Sequence, residues 1–328
     1  MTAARLHDEA IVIDGLIISN WSRPVFEAMK AGGLTAANCT CCVWEGFRGT
    51  MDNIGRWKRW FVEHGDLIRQ VHTSDDIRAA KREGKVGIVL GWQNTTAIED
   101  NIDFLAVFHA LGVRVVQLTY NTQNYVGTGC WESHDGGLSD FGRDAIDEMN
   151  RLGILVDLSH VGPKTSEDAI RHSKKPVCYT HVCPAGLHAH ARNKTDEQLR
   201  FIVSKGGFVG FTTYPWFLPK EGNSTVDDCA EAMEYVINLI GEENVGIGTD
   251  FTQDQTVEWM DWLRRDKGNG RWLMGGQGTL LPMPKGFESL AERRNLTAAM
   301  QRRGWKDTRI RRVLGENWLR FLKEAWGS

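Results

Sequence analysis

No apolar run in the 328 residues approaches the ~18 residues of a membrane-spanning helix. A helical membrane protein is thereby excluded. Met1–Ala10 carries Arg5, His7, Asp8 and Glu9 without an apolar h-region, and Phe321–Ser328 is a charged amphipathic tail without a lipid-anchor pattern. The expectation is a cytoplasmic protein. A surplus of one charge is also lacking: 39 Lys+Arg against 42 Asp+Glu leave a net charge of −3. That gives no electrostatic footprint for nucleic acid or an anionic membrane, and neither is expected as a partner. The seven cysteines are an odd number on a chain long enough to bury its own core, so they read as reduced thiols and not as a disulfide frame. Cys39-Thr-Cys-Cys42 has the spacing of a metal or redox motif, yet its apolar, strand-like setting favours small core side chains. There is no separating linker, fixed repeat or low-complexity tract, and residues 1–328 read as a single domain.

What is present is alternation. Eight apolar runs of 6–9 residues, rich in Val, Ile and Thr, lie at Ile11–Ile18, Leu34–Cys42, Val86–Gln93, Val113–Tyr120, Ile154–Val161, Val177–Val182, Phe208–Tyr214 and Val245–Phe251. Near-continuous apolarity marks strands buried on both faces. Helical periodicity falls between them, at Ile102–Leu111, Asp140–Leu152 and Thr225–Ile240, and Thr195-Asp-Glu-Gln198 reads as a capping box. Eight strand–helix units imply an α/β fold, a (β/α)8 TIM barrel with long βα loops. A doubly wound open sheet is the alternative; the first run continues as Asp14-Gly-Leu-Ile-Ile-Ser19, without the dinucleotide glycine fingerprint. Two long connections, Asn121–Gly137 and Thr252–Gly286, follow strands and so belong to the catalytic face as binding loops or lids.

Polar residues at strand C-terminal ends are the site candidates in such a barrel. The fifth run ends Asp157-Leu-Ser-His160, the sixth Cys178-Tyr-Thr-His181 and the eighth Gly248-Thr-Asp250; Tyr120 and Gln93 end the fourth and third. Two histidines at successive strand ends place two imidazoles side by side on the rim, a pairing suited to Zn²⁺. Aromatics crowd the same face, Trp21, Trp44, Trp92, Tyr214 and Trp216 among them, and read chiefly as packing. Cys130, in Gly127-Thr-Gly-Cys130, is a weaker nucleophile candidate with no adjacent histidine. His188 and His190 are weaker metal candidates, read as exposed loop residues.

Nine segments carry a family resemblance in order along nearly the whole chain. They are Val12–Gly15, Leu118–Asn121, Gly137–Gly142, Asn150–Gly153, Asp157–Val161, Pro176–His181, Ala191–Asn193, Gly246–Phe251 and Gly315–Leu319. The chain resembles the membrane (renal) dipeptidase family of the amidohydrolase superfamily. The resemblance implies a two-zinc site that cleaves dipeptides: a His-x-Asp pair on strand 1, a bridging glutamate on strand 3 and two histidines from strands 5 and 6. It also implies an aspartate on strand 8 for the proton, an arginine after strand 6 for the substrate carboxylate, and often a homodimer.

This sequence departs from that pattern. The His-x-Asp pair falls on Leu16 and Ile18, the bridging glutamate on Gln93, and a strand-4 histidine on Tyr120. Leu and Ile have no lone pairs, and a neutral amide is a poor Zn²⁺ ligand beside a carboxylate. What remains is His160 and His181 as metal ligands, Asp250 as the acid/base, Arg192 with Asn193 and Gln93 for substrate, and Tyr120 as a donor to a developing oxyanion. The expectation is a dipeptidase-like hydrolase of a dipeptide or small amide with a free carboxylate, using at most one divalent ion, zinc by preference. The alternatives are a metal-free metabolite-binding protein and a metal-free lyase or isomerase.

Overall fold

The structure is a computed structural model describing residues 1–327. Its nine strands are β1 Ile13–Ile17, β2 Ala36–Cys42, β3 Ile68–Gln70, β4 Val86–Trp92, β5 Val113–Gln117, β6 Leu155–Asp157, β7 Cys178–Val182, β8 Phe208–Phe211 and β9 Val245–Ile247. They pair in the order β2-β1-β9-β8-β7-β6-β5-β4, and β2 pairs again with β4, so eight parallel strands close on themselves. The eight apolar runs each hold one barrel strand, and the fold is the (β/α)8 barrel expected. The ninth strand, β3, escaped the sequence reading. It is three residues long, only Ile68 is buried, and it pairs with the Val86–Ile88 half of β4 while Leu90–Trp92 pair with β5.

Helix ends follow local chemistry. Thr73, Thr195 and Thr225 each form a capping box, satisfying two free N–H groups of the first turn. The C-terminal helix Asn317–Trp326 closes the barrel floor. Trp318, fully buried, inserts its ring between strands and donates Nε1–H to Ile247 O at 2.9 Å. The barrel makes room with glycine: a Cβ on Gly15 or Gly246 would stand 2.6 or 2.5 Å from that ring. Cys39, Cys41 and Cys42 lie buried on β2, and burial pushes all three thiols up, Cys42 to about 12. They are core residues, as their setting suggested. No helix among the described residues is long and apolar enough to cross a membrane.

Candidate active site

Two buried aspartates organise the catalytic rim. Asp157, at the end of β6, accepts Ser159 N and Oγ at 3.0 and 2.6 Å and Thr180 N and Oγ1 at 2.9 and 2.6 Å, fastening β6 to β7. Across the barrel, Asp14 accepts Leu16 N at 3.1 Å and Thr249 N and Oγ1 at 2.8 and 2.6 Å, fastening β1 to the end of β9. The buried Arg293 guanidinium also pairs with Asp14.

The first clip sets the histidines. Thr180 spends its hydroxyl proton on Asp157, so its oxygen accepts from His181 Nδ1 at 2.7 Å. Asn121 Oδ1 stands 2.7 Å from His160 Nδ1 and accepts from it. Asn121 reaches there from a left-handed backbone (φ 60°), and the loop crossing it needs Gly129, whose Cβ would lie 2.2 Å from the Asn121 carbonyl carbon. With both Nδ1 atoms donating, both Nε2 lone pairs turn to one another, 3.0 Å apart. Burial, with Arg192 and Lys194 nearby, holds both imidazoles well below the usual histidine pKa. Two facing lone pairs on unprotonated rings suit one cation between them. No group of three or more His, Cys, Asp or Glu able to hold a metal occurs among the described residues. The donor set here is two imidazoles, short of the three protein ligands usual for zinc.

His160, Gln93, Tyr120, Arg192 and Asp250 line one cavity of about 30 Å³, room for about one water. The long β9 loop roofs it with Met260, Leu263, Arg264 and Met274. Asp250 has left-handed backbone (φ 59°) and donates its N–H to Leu16 O at 3.0 Å. Burial raises its carboxyl to about 7; Arg192 pulls it back, while Asp14 and Asp157 push it further up. Tyr120 stacks on His160, with centroids 4.2 Å apart, and takes the edge of Trp44 at 5.0 Å. Burial lifts its phenol, which stays a proton donor. Gln93 donates Nε2–H to Thr40 Oγ1 at 3.1 Å.

Arg192 is 1% exposed and donates to Ser159 O at 2.5 Å and His181 O at 2.8 Å, bracing both histidine strands. Its Nε has no partner, and among the described residues the carboxylates of Asp250 and Asp157 act on it through charge without a hydrogen bond. Asn193 is placed elsewhere. Its amide nitrogen binds His188 O at 2.8 Å and Phe217 O at 3.0 Å, outside the cavity wall. His188 and His190 stack on each other, 6.0 Å between centroids, apart from the His160/His181 pair. Burial raises the Cys130 thiol, opposite to what a thiolate nucleophile needs. Sequence reasoning missed Arg264, Asn121 as the orienter of His160, and Met274; an arginine inside a 35-residue loop carries no periodic or terminal signal.

Ile18 also borders a second cavity, of about 340 Å³, walled by Trp21, Trp57, Trp60 and Trp259 with Glu45 and Arg56. The position where the resemblance implies a metal-ligating aspartate is therefore an apolar divider between two spaces.

A model of the membrane dipeptidase family, peptidase family M19, matches residues 24–265. The chain is 52% identical to a Pseudomonas aeruginosa amidohydrolase of known structure, with full coverage of both chains and a TM-score of 0.98. It is 35% identical over 211 residues to an uncharacterized dipeptidase of Schizosaccharomyces pombe, covering 62% of this chain and 51% of that one. It is 30% identical over 284 residues to the dipeptidase tcpJ of Claviceps purpurea, covering 85% of this chain and 60% of that one. The chain thus spans between half and three fifths of those two relatives. The barrel, the paired imidazoles at successive strand ends and the family match lead to one conclusion: this chain belongs to the membrane dipeptidase family.

Proposed function

We propose that the protein hydrolyses a small amide, a dipeptide or an acylated amino acid, that carries a free carboxylate, with at most one divalent ion at His160 and His181. The observation that carries this reading is Arg192. A fully buried guanidinium with no carboxylate in ion-pair contact is costly, and a substrate carboxylate would supply that contact. A divalent ion held by the two Nε2 atoms, zinc by preference, would supply Lewis-acid polarisation of the scissile carbonyl.

The chain's own groups do the rest. With a pKa near 7, Asp250 is balanced to take a proton from the attacking water and return it to the leaving nitrogen. Tyr120, protonated and beside His160, is placed to donate to the oxyanion. Where the family has carboxylates, Ile18 and Gln93 leave no counter-charge for a free ammonium, which favours substrates whose amine is acylated. The 30 Å³ space is small for such a substrate, and the 252–286 loop that roofs it is the segment whose movement would admit one. The test is a panel of dipeptides and N-acetyl amino acids with added Zn²⁺, Mn²⁺ or Co²⁺, on the wild type and Arg192→Met. Turnover that requires the substrate carboxylate and Arg192 is expected. No turnover of any member would reject the reading in favour of a binding protein.

A further inference from the structure

The cavity holds a second guanidinium that this mechanism does not use. Arg264 follows the lid helix Val257–Leu263 and is 1% exposed. Its Nη1 corner is turned into the lid, donating to Gly276 O and to Thr279 O at 2.8 Å, with Asp261 Oδ1 3.8 Å away. Its plane lies 4.8 Å over the Trp216 ring. The remaining edge, Nε and Nη2, is buried and makes no hydrogen bond of normal geometry, and Arg264 lines the same cavity as Arg192 and Asp250. It also faces the Tyr214 phenol, which it pulls down by its charge and by a hydrogen-bonding contact too loose to satisfy the Nε/Nη2 edge, against a larger upward push from burial.

The Nε/Nη2 edge is the fork that receives a carboxylate through two parallel hydrogen bonds. The charge count of the wall agrees: two guanidinium groups face one carboxylate, Asp250, whose own ionisation is suppressed. One substrate carboxylate on Arg192 leaves the Nε/Nη2 edge of Arg264 without an anion. Asp261 pairs with the Nη1 side at 3.8 Å, where its oxygens also accept Gly278 N at 3.0 and 3.2 Å, and it does not reach the Nε/Nη2 edge.

We infer that Arg264 is a specificity-determining residue that binds a second carboxylate, so that the substrate is a small amide of a dicarboxylic amino acid, glutamate or aspartate. The inference rests on the reading above, in which Arg192 holds the first carboxylate. It makes the substrate a bridge, with one carboxylate on the barrel and the other on the lid loop.

The test compares isosteric pairs that differ only in the side-chain charge: glycyl-L-glutamate against glycyl-L-glutamine, and N-acetyl-L-glutamate against N-acetyl-L-glutamine. In the wild type, kcat/KM is expected to favour the glutamate member by about 30-fold or more. In Arg264→Met the preference should fall to within about threefold. Arg264→Lys keeps the charge without the fork, and should keep about a third of the preference or less. An equal preference in the wild type, or a loss in Arg264→Met that strikes both members alike, would overturn the inference and leave Arg264 as a lid stitch. If no pair is hydrolysed, the hydrolytic reading fails separately. Calorimetric affinities of the N-acetyl pair then decide this one: glutamate bound at least tenfold tighter, with the advantage lost in Arg264→Met, supports it, and equal affinities overturn it.

Discussion

The two sides of the barrel mouth share a scaffold and differ in chemistry. On the β6/β7 side Asp157 gathers four donors and, through Thr180 and Ser159, fixes His181 and its neighbour. On the β1/β9 side Asp14 gathers three such donors and the Arg293 guanidinium, and what it fixes is Leu16, Thr249 and the start of Asp250. The first side kept its imidazoles. The second has hydrocarbon at Leu16 and Ile18 where the resemblance implies ligands. The lesson is that strand clips and metal ligands are separate layers of design. A carboxylate buried behind the rim holds the strand ends whether or not the rim carries a metal, so the ligands can be lost without loss of the fold.

The largest expected effect comes from Asp250, which stands between the two sides. Asp250→Asn should lower kcat about 10²- to 10⁴-fold, as for loss of a general acid/base, while circular dichroism shows the same fold. The same variant has a pH signature in stability. The folded carboxyl titrates near 7 against about 4 when unfolded, so the folded state holds an extra proton between those values. Its contribution to stability therefore falls as pH rises from about 4 to about 7 and is level above that. Asp250→Asn should remove this slope, raising the melting temperature relative to wild type at pH 8 and not at pH 4. Catalysis runs the other way, with kcat/KM climbing through pH 7 as the base ionises.

Next in size is the clip on the ligand-free side. Asp14→Ala strands the buried Arg293 and should cost about 3–5 kcal/mol in denaturant unfolding. The clip on the histidine side should cost less in stability and more in function. Asp157→Asn places an amide against donors and should lose about 1–3 kcal/mol. Through Thr180 and His181 it should also weaken zinc binding about ten- to a hundredfold, measured by competition with a chelator. Were both clips to affect zinc equally, the separation of layers argued above would fail.

Much of this was legible in the residues. The eight barrel strands announced themselves because parallel strands buried on both faces must be apolar throughout, and the strand-end positions of His160, His181 and Asp250 followed from that count. The short strand Ile68–Gln70 was not legible, since two of its three residues are only half-buried and no apolar run marks it. The resemblance points to Arg192 as the cation expected to meet substrate, but its bracing of Ser159 O and His181 O depends on a loop path that spacing does not encode. Asn193 illustrates the same limit: adjacent in sequence, it turns to the His188 and Phe217 carbonyls. Arg264 reaches the cavity only through the conformation of a long loop, and local sequence has no pattern for that.

The central claim is that one half of a two-ion site survives and the other has become hydrocarbon. Zinc stoichiometry, measured by elemental analysis on protein equilibrated with excess Zn²⁺ and then desalted, tests it most directly. One equivalent or less per chain, vanishing in the His160→Ala/His181→Ala double variant, is the predicted result. Two equivalents per chain, or a full equivalent retained by the double variant, would contradict it.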